Sequence, residues 1–207
     1  MKPILNTLKE LKDLINKFSA ETPYKDTVIA LIGGYAVIAH GIERTTKDID
    51  TLCIGSPYDS FGKDLSGFLK KHLYDKGVRV DHFQKSPDIN DPFQHEIIYI
   101  KDPKGVAPRV DIIIARYKWE LEGLSSSEPE KKIPIKLLSK PYLIAMKLKA
   151  GGPKDDYDVI ELYELLTDEE KEKTLKLAKL IHLDKKLLRL TKPRKIKKVK
   201  EDKDQLI

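Results

Sequence analysis

The chain has 207 residues, 40% of them hydrophobic and 35% charged, with a formal net charge of +6 and one cysteine. That hydrophobic content at this length excludes a chain too polar to fold; it supports one substantial core plus a smaller helical module, folding without a cofactor. One cysteine excludes an intramolecular disulfide framework and agrees with a reducing cytoplasm.

The first twenty residues interleave Lys, Glu and Asp with Leu and Ile, which predicts an amphipathic helix over 3–19. They contain neither the apolar core of a signal peptide nor a membrane-length run, so a cytoplasmic protein with no membrane partner is expected. An apolar strand over 27–32 breaks at Gly33-Gly34 into a short helix over 34–40, and 48–54 alternates as a second strand. A helix over 61–75 and strands near 78–83, 95–101 and 109–115 follow, the last two joined by the hairpin turn Lys101-Asp102-Pro103-Lys104-Gly105. The Ser- and Glu-rich stretch 123–131 reads as a connector and 133–138 as a short strand; helices near 139–150, 155–166 and 168–183 then dominate. The expected division is a core over 1–122, a helical module over 123–183 and a basic, partly disordered tail over 184–207.

The chemistry concentrates between residues 32 and 50. Glycine allows a turn at φ > 0 and a close ligand approach, while the free N–H groups opening a helix favour an anion such as phosphate, so Gly33 and Gly34 are candidate phosphate-binding positions. Asp48 and Asp50 alternate on a strand and share a face, where two adjacent carboxylates repel unless a cation lies between them. Magnesium takes oxygen ligands and shares them with substrate phosphates, which gives such a pair an electrostatic use. Asp111 interrupts the otherwise apolar strand Val110-Asp111-Ile112-Ile113-Ile114-Ala115 and costs stability there unless paired or metal-bound. Alone, a Gly-Gly is a turn and an Asp-X-Asp a solvated strand end; in this order they point to a nucleotide-and-metal site.

In these residues the chain resembles the nucleotidyltransferase superfamily of the DNA polymerase beta-like fold. The Gly33-Gly34 turn, the Arg44-Thr45-Thr46 lead-in to Asp48-Ile49-Asp50, and the helix Leu143-Ile144-Ala145-Met146-Lys147-Leu148 followed by Lys154-Asp155-Asp156-Tyr157-Asp158 are most similar to its abortive-infection, toxin-like branch. The resemblance spans roughly residues 28–166. It implies an α/β fold with a mixed, mostly antiparallel sheet, flanking helices and a C-terminal helical part. It also implies transfer of a nucleoside monophosphate from an NTP to an acceptor hydroxyl with Mg²⁺ or Mn²⁺, Asp48 and Asp50 holding both metals and Asp111 serving the acceptor side. A serine that contacts phosphate in some members is absent, Tyr35 following the glycines, so phosphate binding must rest on backbone N–H groups.

Lys147 and Lys149 point to different faces of their helix, and Lys147 is the one taken to be sheltered. The resemblance gives Lys147 a triphosphate contact and Asp155 a supporting role; the alternatives are a snorkelling lysine and a helix N-cap aspartate. Asp158 reads as a surface or first-turn charge. Arg44 either reaches phosphate or pairs with Glu43 or Asp48, and Thr46 either joins that site or sets its turn. His40, read as capping its helix, and His95 have no metal-ligand spacing with Cys53. Residues 184–207 hold ten basic and four acidic residues, the whole net charge, and no aromatic for stacking. Such a tail suits unspecific RNA or DNA phosphate contacts, which favours RNA, particularly a tRNA 3′ end, as acceptor. The rivals are a catalytically idle nucleotide- or partner-binding module of a toxin-antitoxin pair, with a cognate antitoxin, and an enzyme modifying proteins or small molecules.

Overall fold

A computed structural model describes residues 2–89 and 91–192. In chain order the elements are α1 (Lys2–Glu21), β1 (Val28–Leu31), α2 (Gly33–Ala39), β2 (Ile49–Ile54), α3 (Phe61–Leu73), β3 (Arg79–Phe83), β4 (Ile97–Lys101) and β5 (Val110–Ile114). They continue as α4 (Lys118–Ser125), β6 (Glu128–Pro129), β7 (Lys136–Leu137), α5 (Lys140–Ala150), α6 (Pro153–Glu164), α7 (Asp168–Leu180) and α8 (Asp184–Leu190).

All seven strands join one sheet in the order β3-β4-β5-β2-β1-β7-β6. Four of its six pairings are antiparallel, and β2 with β5 and β1 with β7 run parallel. This is the mixed, mostly antiparallel sheet expected. The β4–β5 turn is held as its sequence predicts: the Asp102 carboxylate accepts from the backbone N–H groups of Lys104, Val106 and Ala107.

Two helical layers fix the sheet. On α1, Leu8, Leu11, Ile15 and Phe18 recur at helical spacing, are buried, and face α3; each contributes about 1.5–3 kcal/mol through burial. The other anchor is α5, in which Tyr142, Leu143, Ile144, Ala145, Met146 and Leu148 are all buried. Apolar residues on every side mark a helix surrounded by protein, and α5 packs against α2, α4, α6 and α7.

Two stretches differ from expectation. The 123–131 connector is shorter than its Ser and Glu content suggested, because α4 runs to Ser125 and β6 pairs with β7. Burial of Trp119 and Leu124 outweighs the weak helix propensity of the serines, and Glu120 holds the first turn by accepting from the N–H groups of Arg116 and Tyr117. The expected tail also begins as structure: α8 buries Leu187, and Lys186 lies 2.7 Å from Asp156. Residues 193–207, which carry most of the basic run, lie outside the described residues.

Candidate active site

The Gly33-Gly34 turn leaves β1 where β2 begins. Ile32 N–H donates to the Asp50 carbonyl at 2.9 Å, extending the β1–β2 pairing by one residue into the turn. Gly33 has φ +63°, and a Cβ added there would lie 2.0 Å from Asp50 Oδ2; one added at Gly34 would lie 2.7 Å from the Thr46 side chain. Both glycines therefore do a steric job: the backbone closes directly onto a carboxylate and onto the residue leading into it. Gly34 N–H donates to the Asp50 carboxylate, so one of the amides expected to face a phosphate already serves an aspartate. Thr46 is packed against Gly34 and its hydroxyl donates to the Asp48 carbonyl at 3.5 Å; the Tyr35 hydroxyl donates to the Thr46 carbonyl at 3.3 Å. Thr46 thus sets the turn.

Asp50 and Asp111 are direct partners in the parallel β2–β5 pairing, which puts both side chains on one face. Asp48 lies just before β2 and its side chain is 41% exposed. The Asp50 carboxyl is pushed up to about 6, first by burial, then by the charges of Asp111 and Asp48, against the pull of Lys147 and the Gly34 amide. Burial also pushes the Asp111 carboxyl up, with Arg109 opposing. The three carboxylates are therefore within electrostatic reach of one another.

Arg109 is the residue that the sequence reading missed. Its Nε and Nη2 donate to the two oxygens of Asp111 at 2.7 and 2.8 Å, and Nη2 lies 3.0 Å from Asp48. One guanidinium thus spans two of the three aspartates, and its position two residues before Asp111, on the same strand face, was the available signal.

Lys147 is sheltered, as expected, but its partners are acidic residues of α6: Nζ lies 2.8 Å from Asp155 and 3.0 Å from Asp158. Asp155 also accepts from Gly152 N–H at 3.2 Å, so it serves the start of α6 and Lys147 together. The reading of Asp158 as a surface charge is corrected. It is 1% exposed and ion-paired with both Lys147 and Arg44, because positions three apart on a helix share a face and α6 turns that face towards α5. Arg44 accordingly pairs with neither Glu43 nor Asp48. Lys149 lies over the rings of Tyr117 and Phe93, 3.9 and 4.6 Å from their centroids.

His40 stands at the C-cap of α2, with Nε2 2.8 Å from the Leu138 carbonyl. His95 is buried against the Glu120 carboxylate at 3.0 Å, and Cys53 is buried. A cavity of about 540 Å³ lined by His40, Glu130, Ser139 and Glu170 contains none of the aspartates.

Three carboxylates supply the hard oxygen donors that a magnesium-type ion takes, and Asp50 and Asp111 are raised first by burial, with the charges of neighbouring aspartates adding to it. The donor chemistry fits a divalent cation. The side-chain positions are not those of a formed cage, since among the described residues no three acidic, His or Cys groups converge on one point.

Carboxylates gathered from two parallel strands beside a glycine turn, on a mixed sheet of this order, define a nucleotidyltransferase. The particular family follows from comparison: the chain belongs to the nucleotidyl transferase AbiEii toxin family, of type IV toxin-antitoxin systems, whose model matches residues 18–205. Curated proteins give no match. Among solved structures the chain is similar to an antigenic nucleotidyltransferase-like protein from Paracoccidioides brasiliensis, with 17% identity and a TM-score of 0.44 over 87% of this chain and 93% of that one. It is similar also to the antibiotic-resistance factor ANT(2'')-Ia, with 18% identity and a TM-score of 0.45 over 88% and 96%. The match to terminal uridylyl transferase 4 from Trypanosoma brucei with bound dUTP has 13% identity and a TM-score of 0.41, over 77% of this chain and 52% of that one. At these values the neighbours assign no substrate. Among the described residues no helix is long and apolar enough to cross a membrane.

Proposed function

We propose that this chain transfers a nucleoside monophosphate from an NTP to the 3′ hydroxyl of an RNA, a tRNA end in particular, in the cytoplasm, with Asp48, Asp50 and Asp111 as the metal-binding and catalytic carboxylates. The observation that carries the reading is the register pairing of Asp50 with Asp111 beside the Gly33-Gly34 turn. Magnesium or manganese bound there would neutralise the carboxylates and stabilise the attacking and leaving oxygens. Asp111 orients or deprotonates the acceptor hydroxyl. The Gly33-Gly34 backbone approaches the triphosphate, and Lys147 and Arg44 supply positive charge on the side of the leaving pyrophosphate. Residues 1–122 form the catalytic core and 123–183 the part that closes over the nucleotide, tied to the core by β7 on β1 and by Arg44 to Asp158. The basic tail beyond residue 184 adds phosphate contacts, and the toxin family implies a cognate antitoxin.

The test is incubation with each of four α-labelled NTPs, Mg²⁺ or Mn²⁺ and total RNA, beside Asp48→Ala and Asp50→Ala. Label in RNA that both variants lose, while remaining folded, supports the assignment. Retained transfer in either variant overturns the roles of the carboxylates, and label on protein instead moves the acceptor to a protein hydroxyl.

A further inference from the structure

Resting on that reading and extending it, we propose that the open face of β3 and β4 is the platform for the RNA acceptor, with a base near its 3′ end stacked on Tyr99. The strand register builds a continuous row across the sheet: Asp81 opposes Tyr99, Tyr99 opposes Asp111, and Asp111 opposes Asp50. Directly opposed residues share a face, so the row runs from the sheet edge straight into the carboxylates, at about 5 Å per strand. Gly33 and Gly34 lie at the end of β1, whereas the row leaves the site on the other side, through Asp111. In-line phosphoryl transfer places acceptor and leaving group on opposite sides of phosphorus, so an acceptor facing a nucleotide held by the glycine turn comes in along β5 and β4.

What lines this approach suits a single-stranded polynucleotide. The Tyr99 ring meets Phe83 edge-on at 5.7 Å, and its hydroxyl is hydrogen-bonded with the Ser86 side chain, which fixes the ring as a stacking surface. Lys101 Nζ lies 5.1 Å and the Arg109 guanidinium 5.3 Å from the ring centroid. Arg79, with its side chain 70% exposed, pairs with Asp81 and cancels that carboxylate at the outer edge. α3 covers the reverse face of these strands, where Val80 and Ile98 are buried, whereas Tyr99 on the other face is half-buried and leaves part of its ring to a ligand. Aromatic rings flanked by cations bind bases by stacking and phosphates by charge.

The experiment is fluorescence anisotropy of a 5′-labelled single-stranded RNA with a free 3′ hydroxyl, in Mg²⁺ without NTP, on the full chain and on Tyr99→Leu, Tyr99→Phe and Lys101→Gln. Tyr99→Leu is expected to weaken binding about tenfold and Tyr99→Phe, which keeps the ring but loses its tie to Ser86, to weaken it by less than Tyr99→Leu. Lys101→Gln, at the solvent end of β4, should lower the slope of log affinity against log salt by about 0.7, the loss of one phosphate contact to a single strand. NTP affinity, followed by equilibrium dialysis, should stay within about twofold in all three, since stacking of the acceptor is a separate contact. Wild-type affinity in both Tyr99→Leu and Lys101→Gln, or no RNA binding by the wild-type chain, overturns the platform. NMP transfer is scored separately: binding differences without transfer overturn the catalytic reading alone, and transfer to RNA with unchanged binding overturns the platform alone.

Discussion

Asp50 carries a stability cost that can be measured without knowing the substrate. Its carboxyl, near 3.8 in the unfolded chain, is pushed up to about 6 by burial and by Asp111 and Asp48. The ionised form is therefore disfavoured by about 3 kcal/mol in the metal-free fold relative to the unfolded chain. The sign follows from proton counting. Between about pH 4 and pH 6 the folded state keeps a proton that the unfolded state has lost, so stability falls as pH rises through that window, and the full cost is present by about pH 7. Asp50→Asn keeps an oxygen for the Gly34 amide and cannot ionise. In EDTA its stability relative to wild type should be close to zero at about pH 4 and rise to about 3 kcal/mol in the variant's favour by about pH 7.5, read from urea midpoints with unchanged m-values. Saturating Mn²⁺ should narrow that gap by stabilising the wild type alone. A variant no more stable than wild type at the higher pH, or a difference that does not change with pH, would refute the burial and charge-crowding argument for Asp50.

Asp158→Ala should destabilise the fold by about 3–5 kcal/mol in urea titrations, because it leaves Lys147 with only Asp155 and Arg44 without its buried partner. Gly33→Ala should lose NMP transfer and destabilise the chain by more than about 1 kcal/mol, since its Cβ would fall 2.0 Å from Asp50 Oδ2 at φ +63°; wild-type behaviour would show that the turn relaxes freely. Arg109→Gln removes the internal cation from Asp48 and Asp111, and Mn²⁺ should bind it about tenfold more tightly by electron paramagnetic resonance at neutral pH. Unchanged or weaker Mn²⁺ binding would mean that Arg109 organises these carboxylates instead of competing for them.

The regular elements were legible because their periodicities are strong: β1 to β5 and the helices through α7, except α4, fall within a few residues of where apolar alternation and helical spacing put them. What failed was local signal overridden by burial. Nothing in the serines at 125–127 announces that Trp119 and Leu124 will anchor α4 against the sheet. The candidate carboxylates were visible as types and spacings, and the parallel β2–β5 pairing then brought Asp50 opposite Asp111. Charge partners were not visible, because a cation's partner depends on which elements pack together. Arg44 meets Asp158 across 114 residues of chain, a pairing no local pattern specifies. Asp155 and Asp158 at three-residue spacing did share a face, yet only burial against α5 distinguishes that face from a solvated one.

That buried network links the two parts of the chain. Arg44 follows the glycine turn and precedes Asp48, while Lys147, Asp155 and Asp158 belong to α5 and α6, so the Arg44–Asp158 pair ties those helices to the segment leading into β2. Two cations and two carboxylates balance, which makes the cluster tolerable when sheltered. It also leaves Lys147 close enough to lower the proton affinity of Asp50 without neutralising it. A triphosphate entering beside Gly33 and Gly34 would bring negative charge against a cluster whose cations are already committed. Binding of nucleotide must then draw Lys147 or Arg44 partly away from Asp158, or arrive with its own cation. If the glycine turn holds a triphosphate as proposed, the charge balance around it is set by α6 as much as by the sheet. A neutral residue at Asp155 should therefore strengthen NTP binding while weakening the hold of α6 on α5, two effects of opposite sign from one carboxylate.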